Sequence, residues 1–272
     1  MEARNKESRC FMAFIRSDFF SDALGMCAQM NVILPETMHG DPKYGFDKPV
    51  PVLYLLHGMG NDHTAWMRMT SIERYARDYR VAVVMPSTHL GWYTDMYYGY
   101  KYFTFISEEL PEICNRFFPM LSAKREDTFV AGLSMGGYGA LKCAFGKPAR
   151  YSFAASLSGA TDMLLLQKEN PDADRDFWES IFGPLEKFEG SDNDVHALAS
   201  RLAASGGEKP EVYLWCGEQD DLKKCSDSTA AHLRALGFKV DFETGEGTHD
   251  WKYWDEQIEK VLARLPLEKI GG

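Results

Sequence analysis

The sequence predicts an α/β fold: a doubly wound, mostly parallel sheet with an antiparallel strand pair at its N-terminal end. Three observations carry that prediction. From Val50 onward, short apolar runs alternate with longer amphipathic ones, the pattern of strands crossed by helices. Near mid-chain, Gly132-Leu133-Ser134-Met135-Gly136 lies between a β-rich run and a helix-forming one. Close to the start, Ser21-Asp22-Ala23-Leu24-Gly25 is a turn-forming stretch between two β-prone runs. A chain of 272 residues, 45% hydrophobic and 13% aromatic, can bury a full core, and a single domain over 1–272 is the expectation.

Taken in order, residues 11–15 and 26–34 read as the first strand pair, followed by a polar Gly/Pro loop from Pro35 to Pro49. The later apolar runs are residues 52–56, 81–85, 128–131, 153–157, 212–216 and 239–242, rich in Val, Leu, Phe and Tyr as buried strands are. Helices are expected at about 65–79, 102–117, 136–146, 225–236 and 251–264, several with apolar residues at three-and-four spacing. Met67 and Met69, beside Trp66, read as the core face of the first of these. The stretch 162–209 is richer in Asp, Glu, Asn and Gly and interrupts the alternation, with helical pieces near 174–181 and 194–203. It is a candidate cap over the site.

Composition excludes several classes. A net charge of −10 without a Lys/Arg cluster argues against nucleic acid. No apolar run approaches the ~20 residues of a membrane span, and residues 1–9 lack the apolar centre of a signal peptide, so a cytoplasmic protein is expected. Cys10, Cys27, Cys114, Cys143, Cys216 and Cys225 are scattered, with no Cys-x-x-Cys, and read as reduced and structural. No cysteine or histidine pair has zinc-ligand spacing, so neither a metal nor a cofactor is expected.

The glycine-flanked serine reads as a nucleophile elbow. In such a turn the serine backbone is strained, and its neighbours must be nearly without side chains for Oγ to stand clear. A serine hydroxyl is a weak nucleophile, so Ser134 needs a base within reach and an acid to orient that base, in the chain order serine, acid, histidine. Of the histidines after Ser134, His196 and His232 fall in helical patterns and suit surface or packing roles. His249 lies just past a predicted strand, in Gly245-Glu-Gly-Thr-His-Asp, where open α/β sheets gather their catalytic groups. The same criterion selects Gly217-Glu-Gln-Asp-Asp-Leu222 for the acid and leaves Asp220 and Asp221 both open. Asp250 suits the N-cap of the helix from Trp251. The oxyanion donors are expected from Met135 and from the turn Leu56-His57-Gly58-Met59-Gly60, through Met59 or Gly58, with His57 bracing that turn. Trp92, Tyr93, Tyr97, Tyr98 and Tyr100 follow the strand at 81–85. They read equally as a substrate subsite, with Trp92 and Tyr93 foremost, or as a structural loop.

With these segments in place the chain resembles the esterase D-like branch of the α/β-hydrolases, and within it the bacterial tributyrin esterases. The likeness runs from about Phe11 to Leu265 and includes Met30-Asn-Val-Ile-Leu-Pro35, Trp92-Tyr-Thr-Asp-Met96, residues 101–111 and Gly132 to Gly139. In that family the acid is the aspartate of Cys-Gly-x-x-Asp, which falls on Asp220. The resemblance implies an α/β-hydrolase fold and a serine carboxylesterase acting on a small-molecule acyl ester, acetyl to butyryl or an acylated sugar. It admits a homo-oligomer. Relatives implied by the same likeness are feruloyl and acetyl-xylan esterases and S-formylglutathione hydrolases. The latter look to carry a cysteine after His-Gly, where this chain has Met59-Gly60-Asn61-Asp62. A non-catalytic ligand-binding homologue is the alternative from another class, and the presence of all three triad residue types counts against it.

Overall fold

In the central strands, successive side chains point to opposite faces of the sheet, and both faces are buried. Leu53 and Leu55 of β3 (Val52–Leu56) join one apolar cluster, while Val52, Tyr54 and Leu56 join another. The computed structural model describes residues 11–36, 49–170 and 173–269. Most of the loop expected at Pro35–Pro49 lies outside the described residues, as do Cys10 and residues 1–9.

Among the described residues a single sheet of eight strands has the order β1-β2-β4-β3-β5-β6-β7-β8. The strands are β1 (Met12–Ser21), β2 (Met26–Pro35), β3, β4 (Ala82–Pro86), β5 (Thr128–Leu133), β6 (Phe153–Leu157), β7 (Glu211–Gly217) and β8 (Val240–Gly245). β1 pairs antiparallel with β2, and β2 antiparallel with β4; every later pairing is parallel. β1 is longer than its apolar start indicates. It continues to Ser21 because Phe19 and Ser21 turn inward while Phe14, Arg16, Asp18 and Phe20 face out, a period-two pattern.

The helix expected at 65–79 is broken into α1 (Ala65–Met69) and α2 (Ile72–Tyr79). Thr70 Oγ1 donates to Trp66 O at 2.6 Å and accepts from the Ile72 N–H, and the Ser71 N–H donates to Asp255. Hydroxyl side chains that bond nearby backbone compete with helical bonding in this way. Met69 is 45% exposed and so does not join the core, whereas Met67 packs partly against it. The helix expected at 102–117 is continuous but not uniform: α3 (Tyr102–Thr104) passes through a π turn, Phe105–Glu109, into α4 (Leu110–Phe117). The turn directs Glu109 at the β1–β2 hairpin, where it accepts from the Asp22 N–H at 2.6 Å, the Ala23 N–H at 3.3 Å and the Ser21 hydroxyl.

α5 (Met135–Gly146) follows β5 directly. The stretch 162–209 holds α6 (Met163–Glu169), α7 (Arg175–Phe182) and α8 (Val195–Ser205). Each is opened by an aspartate that accepts first-turn N–H groups: Asp162 from Leu165, Asp174 from Phe177, Asp194 from His196 and Ala197. α6 was not among the expected pieces. α9 (Lys223–Ala235) and α10 (Trp251–Arg264) complete the wrap, with α2 and α10 on one face of the sheet and α5 and α8 on the other.

Candidate active site

Ser134 stands between β5 and α5 with φ 53° and ψ −120°, a backbone conformation that L-residues rarely hold. Its neighbours make the turn possible. A Cβ on Gly132 would lie 2.3 Å from Gly136 O, and one on Gly136 would lie 2.4 Å from Leu56 O. The serine is held by its N–H to Leu157 O at 2.9 Å and by the Ala160 N–H to its carbonyl at 3.3 Å.

Two loops at the carboxyl ends of β7 and β8 bring His249 to Asp220. His249 Nδ1 lies 3.0 Å from Asp220 Oδ2 and 3.1 Å from Oδ1. A carboxylate only accepts, so Nδ1 carries the proton and Nε2 is left with its lone pair. The loops are laced backbone to backbone. Gln219 N–H donates to Gly247 O at 2.9 Å, Glu218 N–H donates to Gly245 O at 2.8 Å, and a Cβ on Gly217 would strike Gly247 O. The Asp220 side chain is fully buried, and burial alone would push its carboxyl up; hydrogen bonds from His249, the Leu222 N–H and the Ser158 hydroxyl outweigh it and hold the carboxyl below the usual range. Of the two candidates, Asp220 meets the histidine and Asp221 is exposed.

Ser158, at the end of β6, has no local sequence signal and was not anticipated. It accepts from Trp254 Nε1 at 3.1 Å and helps to hold the Asp220 carboxyl down, and the His249 ring packs edge-on against Trp254 at 4.8 Å. Asp250 caps α10 through the Lys252 N–H at 2.9 Å. His196 and His232 stack on each other at 4.5 Å, with His196 bonded to Thr229.

The turn after β3 presses on the elbow, for a Cβ on Gly58 would lie 3.5 Å from Ser134 Cβ and 2.6 Å from Leu133 Cδ1. Met59 is half exposed and lines the same cleft as Ser134, while Met135 is buried as the first residue of α5. The first N–H groups of a helix have no intrahelical acceptor and so face outward toward what lies beyond its N-terminus. His57 is buried: its Nε2 accepts from the Thr88 N–H at 3.0 Å, which puts its proton on Nδ1, 2.8 Å from Gly58 O. It braces the turn from below, and burial pushes its pKa down to about 4.

The cleft holds about 930 Å³ and is walled by Ser134, Met59 and Trp92 and by side chains of 160–186, including Met163, Gln167, Arg175 and Trp178. Trp92 packs edge-on to Tyr138, Trp178 and Phe182. Tyr93 departs from its expected place. It is fully buried, its hydroxyl donates to His57 O at 2.8 Å, and a Cβ on Gly139 would strike its ring, so it supports the turn rather than the cleft. Tyr97, Tyr98 and Tyr100 are exposed, and the first two bond the end of α7 through their backbone. Among the described residues no group of three His, Cys, Asp or Glu is placed to hold a metal ion, and no helix is long and apolar enough to cross a membrane.

The Esterase family model matches residues 21–265. An acetyl esterase of Caldicellulosiruptor saccharolyticus is 33% identical over 91% of this chain and 96% of its own length. Among solved structures, the Staphylococcus aureus fluorophosphonate-binding serine hydrolase FphF superposes with a TM-score of 0.85 at 35% identity, covering 93% of this chain and 98% of that one. The S-formylglutathione hydrolase FrmB of the same organism gives 0.83 at 34% identity, covering 94% and 99%. With a strained serine at the head of a cleft and a histidine paired to a buried aspartate, the chain belongs to the Esterase family and is an α/β-hydrolase-fold carboxylesterase.

Proposed function

We propose that Ser134, His249 and Asp220 form the catalytic triad of an esterase for short acyl groups, acetyl to butyryl, including acylated sugars. The observation that carries this reading is Ser134 itself, held at φ 53° at the head of a cleft. His249 takes the proton from Ser134 Oγ as it attacks the ester carbonyl, and the N–H groups of Met135 and of Met59 or Gly58 receive the oxyanion. The alcohol leaves with the proton that His249 returns. Water then attacks the acyl-enzyme with His249 again as base, and the acid departs. Asp220, held ionised, fixes the proton of His249 on Nδ1 and stabilises the imidazolium without taking its proton.

The acetyl esterase relative supports the short acyl group. A second reading, hydrolysis of S-formylglutathione, is favoured by the likeness to FrmB. The five described cysteines are unpaired, which fits a reducing compartment, and the proposal places the enzyme in the cytoplasm.

The test is a ladder of p-nitrophenyl esters from acetate to decanoate, with methyl ferulate, acetylated xylan and S-formylglutathione alongside. Ser134→Ala and His249→Ala should each lower kcat/KM by at least about a thousandfold, and Asp220→Asn by about ten-thousandfold, with the fold intact by circular dichroism. A maximum at acetate to butyrate supports the proposal. Near-wild-type turnover in the folded Ser134→Ala or His249→Ala variant would sink the triad, and turnover confined to S-formylglutathione would replace the substrate.

A further inference from the structure

Lys142 lies in α5, the helix that Ser134 opens, and its side chain is 2% exposed. Among the described residues no carboxylate lies within ion-pair distance of it; Asp95 and Asp192 act on it only through their field. Its Nζ donates instead to Asn193 Oδ1 at 2.6 Å and to Thr94 Oγ1, and Thr94 Oγ1 itself lies 3.2 Å from Asn193 Oδ1. Tyr138, one helical turn earlier, donates its hydroxyl to Asn193 O at 2.7 Å. The ammonium also stands 5.0 Å from the Phe103 ring and 5.8 Å from the Tyr138 ring, within reach of cation–π attraction.

Three separate segments therefore meet at one buried amine. Thr94 belongs to the loop whose Trp92 walls the cleft. Asn193 precedes Asp194, which caps α8 and also accepts from the Gly190 N–H, so it sits at the joint between the cleft-lining residues and α8. Trp92 in turn packs against Trp178 and Phe182 of α7. Burial pushes its pKa down to about 7, because no carboxylate stands at ion-pair distance to offset the loss of water around the ammonium. An apolar side chain of the same length would fill the space without that penalty. What the lysine supplies and a methionine cannot is N–H donors directed at Asn193 Oδ1 and Thr94 Oγ1.

We propose that Lys142 is a positioning residue for the ester cleft, using its donors to hold Thr94 and Asn193, and through them the Trp92 and α7 wall, at a set distance from Ser134. The inference rests on the esterase reading of the cleft, but its central claim concerns the position of the wall.

The test is Lys142→Met, with Thr94→Val as an independent variant that removes the hydroxyl from the same network. Hydrogen exchange by mass spectrometry should rise in segments 88–100 and 175–194 of both variants and stay unchanged in β5 and β6. On the ester taken best by wild type, KM should rise by about fivefold or more while kcat changes by less than about twofold. Unchanged exchange in the two segments overturns the proposal. So does raised exchange with an unchanged KM, or a lowered melting temperature with unchanged kinetics, either of which marks a packing role alone. If wild type hydrolyses nothing in a Ser134-dependent way, the esterase reading fails, while the exchange experiment still decides whether Lys142 sets the wall.

Discussion

Ser134 is one of a few non-glycine residues with positive φ, and Trp92, Tyr93 and Ser158 are among the others. These four are the nucleophile candidate, a cleft wall, the support of the turn after β3 and a neighbour of the Asp220 carboxyl. Strain of this kind collects where surrounding structure over-determines a side chain's direction. It has a measurable consequence: Ser134→Gly should be more stable to urea than Ser134→Ala by about 1 kcal/mol, because only glycine adopts the elbow without strain. Equal midpoints would mean that the turn is unstrained. His57 carries a pH dependence. Its pKa falls from an ordinary 6.5 to about 4 in the folded protein, through burial. Between those values the unfolded chain binds a proton that the folded chain refuses, so the contribution is whole above pH 6.5 and is lost as pH falls toward 4. The loss amounts to about 3 kcal/mol. Urea midpoints from pH 7 to 4 should fall less steeply for His57→Gln than for wild type; parallel slopes would refute the assignment.

The serine turn, the turn after β3 and the loops that bear Asp220 and His249 all lie at the carboxyl ends of parallel strands, where side chains from different segments converge. Those four elements were legible because each follows a strand-forming run and carries a glycine in or beside its turn. The breaks within helices were not. Residues 65–79 carry apolar periodicity across Thr70 and Ser71, and the break is marked by the bonds of the Thr70 hydroxyl to nearby backbone and by the contact from Ser71 to Asp255, 184 residues away. The π turn at Phe105–Glu109 is a similar case, since its effect is to aim Glu109 at a hairpin 86 to 88 residues away. Glu109→Ala removes acceptors from two backbone N–H groups and a hydroxyl and should destabilise by about 1–3 kcal/mol. Glu109→Gln, which keeps one acceptor oxygen, should lose less. An unchanged urea midpoint for the alanine variant would show that the cap contributes nothing.

The stretch 162–209 differs in composition from the rest of the chain, yet its Phe182, Phe188, Val195, Ala199 and Leu202 share one apolar cluster with Tyr138, Leu141 and Phe145 of α5. A segment that shares its core with the sheet has no separate core to melt. We therefore propose that residues 1–272 unfold as one domain, and calorimetry should give a single transition with agreeing calorimetric and van't Hoff enthalpies. A separate early transition that loosens 162–209 alone would show an independent unit.

Strand runs, the antiparallel start, the glycine-flanked serine, the histidine after β8 and the two candidate aspartates could all be read from the chain by itself. Each rests on period, turn chemistry or order along the sequence, and those act over a few residues. The choice of Asp220 over Asp221 by contact, the turn of Tyr93 into the core while Trp92 faces the cleft, the arrival of Ser158 under Asp220 and the burial of Lys142 came only with the folded chain. Lys142 meets Thr94 and Asn193 across 48 and 51 residues. Side-chain direction at such a meeting is set by packing from several elements at once, and no local window of sequence contains that information.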